Sequence, residues 1–178
     1  MVGMKEKQSG AFDALKDAFG YTNMHQAPRL EKVVVSTGVG SLKDKNKIEV
    51  VRDRLAKITG QHTAPRTAKK SIAAFKTREG DTVGYQVTLR GARMFDFIDR
   101  LVHIALPRMR DFRGLSPSSL DAMGNYTVGI REHAIFPETS DEDLRDMFGL
   151  SVSVVTSART REEAFAFLRH LGFPLKER

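Results

Sequence analysis

Seven cationic side chains and no acid lie between Arg54 and Arg78: Arg54, Lys57, Arg66, Lys69, Lys70, Lys76 and Arg78. Ammonium and guanidinium groups gathered without counter-charge suit a polyanion, because each phosphate they neutralise releases condensed counterions. Charge is segregated along the whole chain. Residues 1–60 carry 11 basic and 7 acidic groups, residues 61–115 carry 11 and 5, and residues 116–178 carry 7 and 10. The net charge is +7 and the pI about 9.8, the electrostatic footprint of nucleic-acid binding. A solvated basic face is the plainer reading of the same pattern.

Other side chains offer less chemistry. The chain has no cysteine, which excludes disulfides, thiolate zinc sites, Fe–S clusters and a Cys nucleophile together, and is compatible with a reducing compartment. Histidines stand at 25, 62, 103, 133 and 170, none three or four residues from another, so helical metal-ligand spacing is absent. His133 is expected on the surface at a strand end. Gly38-Val39-Gly40 follows a β-branched run, but a dinucleotide fingerprint needs a third glycine where Lys43 stands. A tight turn or the close approach of another backbone explains the pair instead. There is neither a Walker A pattern nor a Gly-x-Ser-x-Gly elbow. Asp96, Asp99 and Asp111 lie among arginines, where surface ion pairs account for them more simply than acid–base catalysis does. No metal, cofactor or catalytic residue is expected, and the chain does not read as an enzyme.

The elements that must position the basic residues follow from periodicity. Phe12, Leu15 and Phe19 make one stripe of a helix over 11–19, stopped by Gly20. Residues 32–39 read as a strand. Ile48, Val51, Leu55 and Ile58 share one face of a helix over 47–58 that Gly60 ends. Residues 71–78 and 83–90 read as the arms of a hairpin around Glu79-Gly80-Asp81. In the second arm Val83, Tyr85, Val87 and Leu89 alternate with Gly84, Gln86, Thr88 and Arg90, so one face is apolar and the other carries donors. Thr88, Arg90 and Arg93 suit phosphate or ribose. The tip, with Lys76, Arg78, Glu79 and Gly80, projects charge on a flexible lever. An exposed Phe75 or Tyr85 would stack on an unpaired base, but most such rings are core, and a buried Phe75 is expected.

Residues 92–106 form a helix that is apolar around most of its circumference, with Arg93, Asp96, Arg100 and His103 as its polar stripe and Pro107 as its stop. Residues 108–124 lack periodicity and carry Arg108, Arg110 and Arg113. Strands follow at 125–131 and 150–156. A Thr160/Glu163 capping box opens a last helix, with Phe165, Leu168 and Leu171 inward and Gly172 beyond its end. The acidic run Asp141-Glu142-Asp143 suits the first turn of a short helix. No repeat or linker interrupts the pattern, so a single domain over 1–178 is expected. The class is α+β: an antiparallel or mixed sheet with helices packed on one face. No apolar run approaches the roughly 18 residues of a membrane span, and the first ten residues lack the apolar region of a secretory signal. No membrane contact and a cytoplasmic location are expected.

Eight blocks then follow one another in order: Ala27-Pro28-Arg29-Leu30-Glu31-Lys32, Gly38-Val39-Gly40, Ile58-Thr59-Gly60-Gln61, Lys69-Lys70-Ser71-Ile72-Ala73-Ala74-Phe75-Lys76, Val87-Thr88-Leu89-Arg90-Gly91, Pro107-Arg108-Met109-Arg110-Asp111-Phe112-Arg113-Gly114-Leu115, Gly124-Asn125-Tyr126 and Ile135-Phe136-Pro137-Glu138. The series resembles the bacterial and organellar ribosomal protein L-five family over nearly the whole chain. The resemblance implies a structural constituent of the large ribosomal subunit whose sheet offers a concave face to 5S rRNA in the central protuberance. It also implies contacts with 23S rRNA, with P-site tRNA through the hairpin-tip loop, and with small-subunit protein S-thirteen and neighbouring central-protuberance proteins.

Carried over by position, Gln61, Phe75 and Thr88 match residues that the family uses towards 5S rRNA. Arg29, Ser36, Thr37, Gly38, Arg66, Lys69, Lys70, Arg90, Arg93 and Asn125 are expected beside them as rRNA contacts. Lys76, Arg78, Glu79 and Gly80 match the loop that reaches tRNA. Arg108, Arg110 and Arg113, with Asp141 and Glu142, are expected at the protein bridge. Two positions depart from the family pattern. Ser36 stands where Asn is common and has a shorter reach, and Arg66-Thr67 replaces an apolar-Thr pair, adding charge near the RNA face. A non-ribosomal RNA chaperone or RNA-processing factor, and a protein-interaction module built on the acidic C-terminal third, are the alternative readings of the same residues.

Overall fold

The computed structural model describes residues 3–42, 44–139 and 147–176. Its strands are β1 (Leu30–Gly38), β2 (Ala64–Thr67), β3 (Thr82–Leu89), β4 (Tyr126–Ile130) and β5 (Leu150–Thr156), and its α-helices are α1 (Met4–Ser9), α2 (Ala11–Phe19), α3 (Lys45–Thr59), α4 (Gly91–Arg100) and α5 (Arg161–Leu171). The fold is α+β, with an open antiparallel sheet in the order β2-β3-β1-β5-β4. Period-two alternation sets the sheet's faces. β5 buries Leu150, Val152, Val154 and Thr156 and leaves Ser151, Ser153 and Val155 half-buried. β4 buries Tyr126, Val128 and Ile130 and exposes Thr127 and Gly129.

The chain forms two compact units. The first comprises Met1–Val33, Leu89–Val128 and Ser153–Arg178. Here α1 packs on α2, α4 and α5, and α2 packs on α5. Met4, Phe97, Ile98, Leu101, Phe167, Leu168 and Leu171 fill the core with essentially no exposure. The inward aromatic of α5 is Phe167 rather than the expected Phe165, which is half-buried. Thr160 caps α5 by accepting from the Glu163 amide at 3.2 Å. The Glu163 carboxylate does not return to Thr160 as a capping box would; it accepts from the Arg159 amide at 2.7 Å and from the Tyr21 hydroxyl. Pro107 does not end the long helix abruptly. Its missing N–H removes one i→i−4 bond, and the chain widens into a π segment at Leu101–Ala105 and tightens into a 3-10 turn at Leu106–Arg108.

The second unit comprises Val34–Thr88 and Gly129–Val152. Its helix α3 buries Val51, Leu55 and Ile58 and closes on Gly60, whose φ of 65° is left-handed. The partner of β3 is β2, with Ala64 opposite Gln86, Pro65 opposite Tyr85 and Arg66 opposite Gly84, and a bulge between Arg66 and Thr67. This corrects the expected hairpin: residues 71–78 are not its first arm. β2 is an edge strand of four exposed residues. It has no buried face to write an alternating pattern, and its proline is tolerated because an edge position need not donate to a ladder.

Residues 68–81 instead form a tied loop. Ala68 N donates to Asp81 O at 2.8 Å, Gly80 N to Ala68 O at 3.1 Å and Ile72 N to Thr77 O at 3.0 Å. Glu79 N donates to Ser71 Oγ at 2.9 Å. The expected flexible lever is therefore a loop braced by its own backbone. His133, expected on the surface, is 1 % exposed. Its ring stacks on Phe148 at 4.2 Å between centroids, and Nδ1 accepts from the Phe148 amide. The acidic run with Asp141 and Glu142, and the helix expected there, lie outside the described residues.

Candidate nucleic-acid interface

In the second unit the outward-facing positions of four strands line a trough of about 710 Å³. Ser36 and Gly38 come from β1, Gln86 from β3, Gly129 from β4 and Ser151 from β5, with Arg66 and Arg131 at its sides. Among the described residues the lining has two cations and no acid. Arg66 Nε donates to Gln86 Oε1 at 2.6 Å, which orients the guanidinium and leaves its terminal N–H groups for a ligand. Thr37 behaves differently from its neighbours. Its hydroxyl is engaged with Gly149 O at 2.8 Å and its side chain is buried, so it meets the trough through its backbone.

Gln61, just beyond α3, reaches β3. Its Nε2 donates to Thr88 O at 3.2 Å. That bond holds the amide at the half-buried Thr88 while leaving Oε1, one N–H and the Thr88 hydroxyl to bond outward. Gln61 and Thr88, far apart in the chain, are thus brought together.

The braced loop supplies a second kind of surface. Phe75 is 74 % exposed and Ile72 46 % exposed, so the expected core role of Phe75 is overturned. An apolar run of four reads as buried, but here it sits on a single 3-10 turn, Ala73–Phe75, that leaves all of its residues exposed. Lys76 takes a left-handed φ of 52° to end that turn, a conformation that costs a non-glycine residue free energy and concentrates at functional loops. Phe75 and Ile72 line a groove with Gly40, Ala68, Lys69, Lys70 and Val83. Lys69, Lys70, Lys76 and Arg78 are exposed. A ring to stack on, with ammonium groups beside it, is the chemistry that holds single-stranded nucleic acid.

The remaining candidates belong to the first unit. The Arg29 amide donates to Ser157 Oγ at 2.9 Å and its head is exposed. Arg90 occupies the extended position before α4, and Arg93 lies exposed in the first turn. Asn125 closes a turn by donating Nδ2 to Asp121 Oδ2 at 2.9 Å and its amide to Oδ1 at 2.6 Å. Burial pushes the Asp121 carboxyl upward, but these bonds and one from the Met123 amide outweigh it and hold the group below its ordinary range. Arg108, Arg110 and Arg113 are exposed, around Asp111 in a left-handed φ of 52°.

Sequence reasoning misses Arg131, Gly129 and Ser151 as trough residues. Gln86 lies on the polar face expected for its strand without standing out there, and the same alternation turns Ser151 outward. Among the described residues no cluster of three or more His, Asp or Glu is arranged to hold a metal, and no helix is long and apolar enough to cross a membrane.

Two family models match the chain. The one described as Ribosomal protein L5 covers residues 23–78, and the one for the C-terminus of the same ribosomal family covers residues 82–175. Similar proteins named large ribosomal subunit protein uL5 come from Rubrobacter xylanophilus (52 % identical, covering 92 % of this chain and 91 % of the relative), Halothermothrix orenii (49 %, covering 92 % of each) and Heliobacterium modesticaldum (48 %, covering 99 % of each).

Proposed function

The chain belongs to the ribosomal protein L5 family, rRNA-binding and non-catalytic constituents of the large ribosomal subunit, and we propose that it binds 5S rRNA through the trough and braced loop of its second unit. The observation that carries this reading is an outward sheet surface built from Ser, Gly and Gln, flanked by Arg66 and Arg131 and, among the described residues, lined by no acid. Small polar residues let a sugar–phosphate backbone come close, hydroxyls and amides supply hydrogen bonds, and guanidinium groups neutralise phosphates. Gln61 and Thr88 add outward-facing donors and acceptors, and Phe75 adds a ring for an unpaired base. Recognition of this kind rests on shape and backbone contact rather than on groove readout of base sequence.

The finer partners belong to the same reading. Lys76, Arg78, Glu79 and Gly80 on the loop suit P-site tRNA, whose backbone the exposed cations would meet. Arg29, Arg90, Arg93 and Asn125 in the first unit suit further rRNA, including 23S rRNA. Arg108, Arg110 and Arg113 suit the bridge to small-subunit protein S-thirteen, with Asp141 and Glu142 as its acidic side.

The test is binding of the full-length protein to a 5S rRNA transcript across a salt series. A multi-phosphate interface gives a steep linear fall of log affinity with log salt, with a slope of about −0.7 to −0.9 for each phosphate neutralised. A flat dependence, or equal affinity for an unrelated structured RNA of the same length, overturns the reading.

A further inference from the structure

We propose that Gly38 and Gly129 are contact positions at which the bound RNA backbone lies directly on the protein backbone, so that the absence of two side chains sets how deeply the RNA is seated. The inference rests on the trough being the RNA site and adds to it the residues that decide its depth.

Four glycines line the trough: Gly38, Gly84, Gly129 and Gly149. Packing inside the fold accounts for two of them, strictly at Gly84 and as a tight fit at Gly149. A Cβ on Gly84 would meet Thr37 O at 2.7 Å, and one on Gly149 would meet Ile130 O at 3.2 Å. The other two have no such reason. A Cβ on Gly38 or on Gly129 meets nothing within 4 Å, and neither residue has a positive φ. Both lie in strands and are exposed. Glycine weakens a strand, through lost chain entropy and the lack of a side chain to pack, and is typical where another backbone comes close. Among the described residues nothing approaches either position. No neighbour among the described residues thus keeps either position bare, and a bound backbone gives both a reason to be glycine.

The surroundings say what kind of body it is. Ser36 and Ser151 set hydroxyls beside the bare backbone, and Arg66 and Arg131 set guanidinium groups at its flanks. A phosphate or ribose oxygen must come within about 3 Å of a donor to bond it. A β-branched side chain on the outward face would hold the chain of sugars and phosphates away from both hydroxyls. The alternation that makes Gly129 outward would otherwise favour a β-branched residue there, as at Thr127 two positions earlier.

The experiment uses full-length Gly38→Val and Gly129→Val with the 5S rRNA transcript, at one moderate salt concentration and then across the salt series. Each variant is expected to melt at or above the wild-type temperature and to bind at least tenfold more weakly. The salt slope should stay unchanged, because the lost contact is steric and not ionic. Gly84→Ala, by contrast, should lower the melting temperature. Valine variants that bind like the wild type overturn the proposal. Should a valine variant melt early, Gly129→Ala decides: a stable alanine variant with weakened binding supports the proposal, and one with unchanged binding overturns it. A wild-type protein that binds no 5S rRNA overturns the proposed function instead, and this inference falls with it.

Discussion

The two units use the same kinds of element to opposite ends. In the first, helices α1, α2, α4 and α5 interlock, and polar side chains are taken up internally: Lys7 Nζ donates to Leu171 O, Thr156 Oγ1 to Gly124 O and Tyr126 OH to Ser116 O. In the second, outward strand positions carry Ser, Gly and Gln, a loop holds Phe75 in solvent, and Lys69, Lys70, Lys76 and Arg78 are exposed. Apolar exposure and unbalanced charge are costs that a fold minimising its own free energy avoids. In the second unit the two meet on one loop, where Ile72 and Phe75 stand in solvent beside Lys69, Lys70, Lys76 and Arg78, and that coincidence marks the loop as shaped for a partner.

That contrast is open to direct attack. The largest expected effect is on stability: Phe167→Ala in the first unit should cost about 3–5 kcal/mol by leaving a cavity. Denaturant melts check it, and RNA affinity measured where the variant is still folded should not change. A large affinity loss there would erase the division of labour. The next effect is on binding. Replacing Arg66, Lys69 and Lys70 together by Ala should flatten the salt slope by about 2 to 3 and leave the melting temperature within a degree or two, since these heads hold no ion pair among the described residues. Phe75→Ala should weaken 5S rRNA binding by about 1–3 kcal/mol, the range for one lost base stack, with little change in stability because the ring is already in solvent. A clear fall in melting temperature for Phe75→Ala would show the ring to be packed after all.

The smallest effect is on pH dependence, and it should arise in the first unit. Burial pushes the Tyr126 phenol up to about 12, against a smaller opposing hydrogen bond with Ser119. Tyr21 is raised too, by burial and by Glu163. The folded state therefore keeps protons that the unfolded chain releases near pH 10. Stability from these phenols is complete below about pH 10 and is lost as pH rises through their folded values. Tyr126→Phe should make the alkaline fall shallower in melts taken between about pH 9 and 12. On the acid side the depressed Asp121 carboxyl acts in reverse: its contribution is present above the ordinary carboxylate range and is lost as pH falls through the lowered value. Asn125→Ala should differ from wild type near neutrality and converge with it in acid.

Much of the fold is legible in the residues themselves. β5 occupies Leu150–Thr156 and α2 Ala11–Phe19, as the apolar spacing implies, because period and stop residues are local properties. The basic stretch from Arg54 to Arg78 points to a polyanion because charge is additive and needs no coordinates. The short α1 leaves no readable period in six residues. β2 has no buried face to betray it, so the alternating pattern assigns β3 the wrong partner. Phe75 and His133 fall on the opposite sides of the surface from those expected, since composition gives the average fate of a ring and only neighbours give the actual one.

By itself the sequence determined the α+β class, most helix and strand positions and the charge of the partner, all of which follow from nearest-neighbour chemistry along the chain. Only the tertiary structure decided that Gln61 meets Thr88, that Arg66 is oriented by Gln86, and that Gly38 and Gly129 face open space while Gly84 does not. Those are relations between residues distant in sequence, and they exist only once strands have paired and fixed which faces are covered.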